Sequence, residues 1–145
     1  MYIAVDPKSS VPLYVQVKEQ MRMAVATGAL RVGDQLPTVR ELAARVLINP
    51  NTVARAYREL QAEGLLTSRQ GSGTFVADGA EMIGQEEARR RVAEALQRVA
   101  ATAASLELSG PEFQQLAGQA LDEVREQSAR WEARPEVGGN VGAGD

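Results

Sequence analysis

Apolar positions in the first third of the chain recur at helical spacing. Leu13, Val17, Met21, Ala24 and Val25 share one face of the segment Pro12 to Gly28, which predicts an amphipathic helix ended by Gly28 in the left-handed conformation. After the turn Arg31-Val32-Gly33-Asp34, Thr38 and Glu41 have the spacing of a capping box and predict a short helix from Val39 to about Val46. Asn49 then offers a cap and Pro50 a first helical position, so a third helix is expected from Pro50 to about Glu63, with Gly64 as its stop. Two helices joined by a three-residue connection, the second opening on a polar cap, have the spacing of a helix-turn-helix. Strand-like runs at Leu65 to Arg69 and Thr74 to Ala77 flank the glycine-bearing tip Gln70-Gly71-Ser72-Gly73, which adds a hairpin and makes the unit a winged helix.

From Glu86 the pattern changes. Val92, Leu96, Val99, Ala103 and Leu106 step by 4, 3, 4 and 3, a heptad-like seam. Ser109 and Glu112 form a second capping-box pattern, beyond which Phe113, Ala117, Ala120, Val124 and Trp131 continue an apolar stripe, with Leu116 and Leu121 beside it. Two such helices with a short loop predict an antiparallel helical hairpin. The expected fold is mainly α: a winged helix-turn-helix of three helices and a two-stranded β-hairpin wing over residues 1–78, then the helical hairpin over 79–134. Residues 135–145 contain four Gly and few apolar side chains and are expected to be a disordered tail.

Composition narrows the function. The chain has 145 residues, no Cys and no His, which removes thiol nucleophiles, thiol and imidazole metal ligands, and the imidazole proton shuttle. No apolar stretch approaches the ~20 residues that cross a bilayer, and Met1 to Lys8 lacks a signal-peptide core, so a cytoplasmic protein without membrane contact is expected. The net charge of −3 hides two opposite halves: residues 1–78 hold nine Lys+Arg against seven Asp+Glu, and residues 79–145 hold seven against twelve. The first half suits an anionic partner better than the second.

Spacing sorts the third helix into two faces. Val53, Ala56, Tyr57 and Leu60 belong to the core; Asn51, Thr52, Arg55 and Arg58 lie outside, toward the leading half that a recognition helix inserts into the major groove. Asn pairs with adenine, Arg forks onto guanine and Thr reaches base or phosphate, although the same residues also suit a merely solvated face. Arg40 lies in the first turn of the second helix, beside the capping Thr38, where backbone amides attract a phosphate; a surface ion pair with Glu41 or Asp34 is the alternative. Arg69, Gln70 and Gly71 at the hairpin tip suit a narrow groove of strong negative potential. Glu59 and Glu63 are the best carboxylate pair for catalysis, yet nothing around them suggests the burial that tunes a catalytic acid, and no phosphate-cradling loop is present. Neither an enzyme nor a cofactor is expected.

The runs Leu36-Pro37-Thr38-Val39-Arg40-Glu41-Leu42-Ala43, Asn49-Pro50-Asn51-Thr52-Val53-Ala54-Arg55-Ala56-Tyr57-Arg58-Glu59-Leu60, Glu63-Gly64-Leu65 and Gly71-Ser72-Gly73-Thr74-Phe75-Val76 resemble the N-terminal domain of the GntR family of bacterial transcription regulators. The resemblance covers roughly residues 10–78. Pro12-Leu13-Tyr14-Val15-Gln16-Val17 resembles the YtrA-like and MocR-like branches, and the short remainder of the chain has room only for the helical pair of the YtrA-like branch. This implies a homodimer bound to an inverted-repeat operator, usually as a repressor and often of nearby transporter genes. It implies DNA contacts at Arg40, Asn49, Asn51, Thr52, Gln70 and Gly71. Where many relatives carry arginines this chain has Pro50 and Ala54, which shifts expected base contacts toward Asn and Arg55.

The full candidate DNA-binding set is Thr38, Arg40, Asn49, Asn51, Thr52, Arg55, Arg58, Arg69, Gln70 and Gly71. The candidate dimerisation set is Val92, Leu96, Val99, Ala103, Leu106, Phe113, Leu116, Ala117, Ala120, Leu121 and Val124. Dimerisation also follows from charge, because one half-site module of charge +2 makes few phosphate contacts, whereas two copies a duplex turn (~34 Å) apart, or a multiple of it, bind far more tightly. The competing expectation is a winged-helix module that binds protein and not DNA. A small-molecule effector has no residue that nominates its site.

Overall fold

A computed structural model describes residues 2–133; the expected tail at 135–145 lies outside the described residues, as does the side chain of Trp131. The elements run α1 (Leu13–Ala26), α2 (Val39–Val46), α3 (Pro50–Ala62), β1 (Leu66–Arg69), β2 (Gly73–Val76), α4 (Ala80–Ser105) and α5 (Gly110–Glu132). The core is built from the faces that spacing picked out: Val17, Met21 and Val25 of α1, Leu42 and Ala43 of α2, and Val53, Ala56, Tyr57 and Leu60 of α3, closed by Leu65, Leu66 and Val76.

Local chemistry sets the ends of these helices. Thr38 Oγ1 accepts from Glu41 N at 3.2 Å while Glu41 Oε2 accepts from Thr38 N at 2.9 Å, completing the capping box. Asn49 Oδ1 accepts from Asn51 N at 2.8 Å, with Pro50 at the first position of α3. Between them α2 ends on Leu47, a non-glycine residue at φ 57° with its side chain 90% exposed.

The wing differs in two respects from the hairpin that the sequence predicts. Gly73 is not at the tip but pairs with Arg69 as the first residue of β2, at φ 118°, a conformation that favours glycine. Beside β2 runs a third lane: Gln35 bridges Phe75, Leu36 N donates to Thr74 O at 2.8 Å, and Gly33 N donates to Val76 O at 2.9 Å. The N-terminal residues are fastened by glutamine amides of α1. Gln20 Oε1 accepts from Ala4 N at 2.9 Å, and Gln16 both accepts from Asp6 N at 2.8 Å and donates to Asp6 O at 2.9 Å.

Helix α4 starts at Ala80, six residues before the composition changes. Ala80 is buried, and Gly84 lies so close to α1 that an added Cβ would stand 3.2 Å from Ala26 N and 3.3 Å from Arg22 O. The compact units accordingly divide inside α4, between Ala95 and Leu96, whereas charge balance placed the boundary after residue 78.

In the second unit, Ser109 and Glu112 cap α5 as their spacing predicts, with Glu112 Oε2 accepting from Ser109 N at 2.8 Å. That bond from the backbone N–H of Ser109 holds the Glu112 carboxyl below its ordinary range. The end of α4 and the start of α5 border an apolar groove of about 570 Å³, lined by residues including Leu96, Val99, Ala103, Phe113, Leu116 and Ala120. Ala103 is buried, but Val92, Leu96, Val99, Leu106, Leu116, Leu121 and Val124 are all exposed. Among the described residues no helix is long and apolar enough to cross a membrane.

Candidate nucleic-acid interface

Burying Val53, Ala56, Tyr57 and Leu60 on one side of α3 leaves Asn51, Arg55 and Arg58 exposed, with Thr52 half-buried at the margin. Asn49 is exposed at the cap, Thr38 and Arg40 are exposed at the start of α2, and Arg69, Gln70 and Gly71 are exposed at the wing tip. Gly71 has φ 75°, so the tip turn requires a residue without a Cβ. The first-turn side chains Thr38 and Asn49 are engaged as caps, which fixes the backbone from which their neighbours project.

The Tyr57 hydroxyl ties α3 to the segment leading into α2, donating to Pro37 O at 2.6 Å. Burial pushes the Tyr57 phenol far above its ordinary value, so it stays a donor at every physiological pH.

The acidic residues of α3 are withdrawn toward α1. Lys18, 9% exposed, donates to Glu59 Oε2 and Glu63 Oε1, each at 2.7 Å, and Arg22 Nη2 reaches Glu63 Oε2 at 2.5 Å. The hydrogen bond from Lys18 is the main reason that the Glu59 carboxyl lies below its ordinary value. Burial pushes Glu63 up, but hydrogen bonds from Lys18 and Arg22 outweigh it and the net shift is downward. Burial likewise works against the Lys18 ammonium, and the two carboxylates reverse that effect. Arg22 and Arg91 continue the lattice to Glu87 (4.0 Å) and Glu19 (2.6 Å).

This lattice settles the chemistry of Glu59 and Glu63. Both are ionised and tied to cations, the opposite of a carboxyl raised to act as a general acid. Among the described residues, Arg40 makes no ion pair with Glu41 or Asp34, and Arg58 and Arg69 make none at all. Arg55 is placed differently from the other nominated cations: its guanidinium carbon lies 3.7 Å from the centroid of the Tyr14 ring, and its Nε is 3.4 Å from Glu59 Oε1. Arg69 stacks on Phe75 at 4.4 Å. Spacing gave no sign of either stack: Tyr14 and Arg55 are about 40 residues apart, and Arg69 meets Phe75 diagonally across the two strands of the wing.

Residues 13–76 match the family described as bacterial regulatory proteins, gntR family. Over 78 residues the chain is 45% identical to the HTH-type transcriptional repressor YtrA of Bacillus subtilis, a match covering 54% of this chain and 60% of that repressor. A second regulator from that organism, YhcF, is 41% identical and is covered over 63% of its length, so the chain spans less than two thirds of either relative. Among solved structures, a transcriptional regulator from Oenococcus oeni is 32% identical with a TM-score of 0.69, covering 81% of this chain and 97% of that one. YtrA from Sulfolobus acidocaldarius, a GntR-family transcription factor, is 31% identical with a TM-score of 0.53, covering 67% of this chain and 99% of that one. With the winged helix, its capped helices and both comparisons in agreement, the chain belongs to the GntR family of bacterial regulatory proteins.

Proposed function

We propose that the protein is a sequence-specific DNA-binding transcriptional regulator that acts as a repressor, binding an inverted-repeat operator as a homodimer. The observation that carries this reading is the partition of charge around α3. Glu59 and Glu63 are bound to Lys18 and Arg22 on the α1 side, so the exposed Asn51 and Arg58 side approaches phosphate without an opposing carboxylate. The caps at Thr38 and Asn49, with Arg40 beside the first, supply the helix starts that fix a protein on the sugar–phosphate backbone. Arg69, Gln70 and Gly71 serve the wing contact.

The second unit supports the dimer. Its exposed apolar residues, Leu96 and Val99 on the heptad-like stripe of α4 with Leu116, Leu121 and Val124 on α5, form a face that a second copy covers. In this reading residues 1–78 bind DNA, residues 79–134 join the copies, and the targets are genes near its own, transporter genes among them.

Gel retardation with duplexes from the region upstream of its own gene tests the proposal. Retardation that weakens steeply with salt is expected, and Asn51→Ala loses the specific complex while keeping helicity. No retardation of any upstream fragment at low salt refutes it.

A further inference from the structure

Two arginines on the proposed DNA surface are posted on aromatic rings: Arg55 of α3 on Tyr14 of α1, and Arg69 of β1 on Phe75 of β2. The chain has only six aromatic residues, so two of them in this role calls for a physical reason. Core filling accounts for part, since Tyr14 packs against the core cluster. It does not account for the guanidinium over the ring. A stack half open to water adds little to folding, and Arg55 remains 53% exposed in its side chain.

The charges beside the stack are unequal. Glu63 is shared by Lys18 and Arg22, and Glu59 by Lys18 and Arg55, while Arg22 also reaches Glu87 of α4 at 4.0 Å, so Glu59 is the one carboxylate paired with Arg55 and it is shared with Lys18. Lys18 and Arg22 have side chains only 11% and 16% exposed, and Arg55 is the member that reaches solvent. The one hydrogen bond from Arg55 to Glu59 comes from Nε at a long 3.4 Å, and the other oxygen of Glu59 is held by Lys18 at 2.7 Å. The two terminal nitrogens of Arg55 thus make no hydrogen bond among the described residues, on a side chain whose freedom is already reduced.

We infer that Tyr14 is a positioning residue for DNA recognition: it holds the Arg55 guanidinium at the α1 margin of α3 so that its terminal nitrogens take a backbone phosphate, with Phe75 doing the same for Arg69 at the wing. Arg55 then contributes to placement and not to base reading, because its ties to Tyr14 and Glu59 turn it away from Asn51 and Arg58. Ordering a long side chain before the encounter lowers the entropy lost on binding. The inference rests on the DNA-binding reading above.

The test is a fluorescence-anisotropy titration of the full-length protein across a salt series, using a mixed-sequence duplex of about 30 bp because phosphate contacts do not depend on sequence. Arg55→Gln is expected to weaken binding and to lower the slope of log K against log salt by about 0.9 per protomer. Tyr14→Leu is expected to weaken binding about two- to five-fold per protomer with the slope retained. Tyr14→Phe restores affinity, and Tyr14→Leu has no further effect in the Arg55→Gln background. A merely structural Tyr14 gives additive losses in the double variant, which overturns the inference; so does tighter binding by Tyr14→Leu, which means that the stack withholds Arg55 from DNA. If Tyr14→Leu melts below the assay temperature, Tyr14→Trp decides: its stronger π face tightens binding at unchanged slope, and unchanged affinity overturns the inference. If the wild-type protein binds no duplex at any salt, it is the DNA-binding reading that fails.

Discussion

The two compact units use apolar residues in opposite ways. In the first, Val17, Met21, Val53, Leu60 and Leu65 have no exposed surface; in the second, Leu96, Val99, Leu116, Leu121 and Val124 are each 44% to 58% exposed, and Ala103 is the one apolar side chain reported as buried among the described residues. Periodic spacing selected both sets with equal clarity. Hydrophobic periodicity therefore identifies a face that wants covering and is silent about what covers it. The winged helix covers its faces with itself, because three helices and a sheet surround one centre. Two helices meeting at a turn have no third element, and their stripes line an open groove.

Matched truncations sharpen this contrast most. Leu60→Ala should cost about 2–5 kcal/mol at any protein concentration, whereas Leu116→Ala, already half exposed, should cost under about 1 kcal/mol in dilute solution and act on self-association. Denaturant unfolding at two protein concentrations separates them; a concentration-independent loss of several kcal/mol for Leu116→Ala breaks the comparison.

Gly84 tests close packing in the first unit. Alanine favours a helix by about 1 kcal/mol over glycine, yet the new Cβ meets backbone atoms of α1 at 3.2 and 3.3 Å. A net loss of about 1 kcal/mol is expected in thermal melts; Gly118, with no neighbour within 4 Å of an added Cβ, should instead gain from the same change.

Among the described residues the ion lattice lies in the first unit, and acid reveals it. Glu59 and Glu63 ionise below their ordinary value of 4.5 when folded. A carboxylate with a depressed folded pKa adds stability above its unfolded pKa and loses it as pH falls through the folded one. Melting temperature should drop below about pH 4.5, and Lys18→Met should start lower at neutral pH and lose less on the way down. Parallel acid limbs for the two proteins remove Lys18 from the lattice.

The smallest change concerns the turn before α3. Leu47→Gly relieves a left-handed φ while giving up a side chain that packs on nothing, and a gain of roughly 0.5 kcal/mol in denaturant unfolding is expected after the entropy of glycine is set against it.

Helix ends were legible because capping is local: Thr38 with Glu41, Asn49 with Pro50, and Ser109 with Glu112 announce themselves within four residues. The lane at Gly33 to Leu36 was not, since one bridge at Gln35 beside Gly33 and Pro37 carries no strand alternation. The heptad-like stripe of α4 begins only at Val92 because its first turns dock through Ala80 and Gly84, small residues that weigh little in a hydropathy pattern. The outward residues of α3 were recognised as a set from the inward ones. The Arg55 stack and the Lys18 lattice were hidden because each joins residues about 40 apart, and the Arg69 stack because it crosses between two strands whose register the sequence did not fix.

Lys18 lies on α1, and its ammonium is closed in by the carboxylates of Glu59 and Glu63. Without it, Glu63 keeps only Arg22 and Glu59 only its long contact to Arg55, so negative charge is less fully matched on the very rod proposed to meet a polyanion. On the proposed reading, a genetic screen for lost DNA binding should therefore return this lysine among its hits, although it is nearly buried: a binding surface can be weakened from its interior by loosening its own acids.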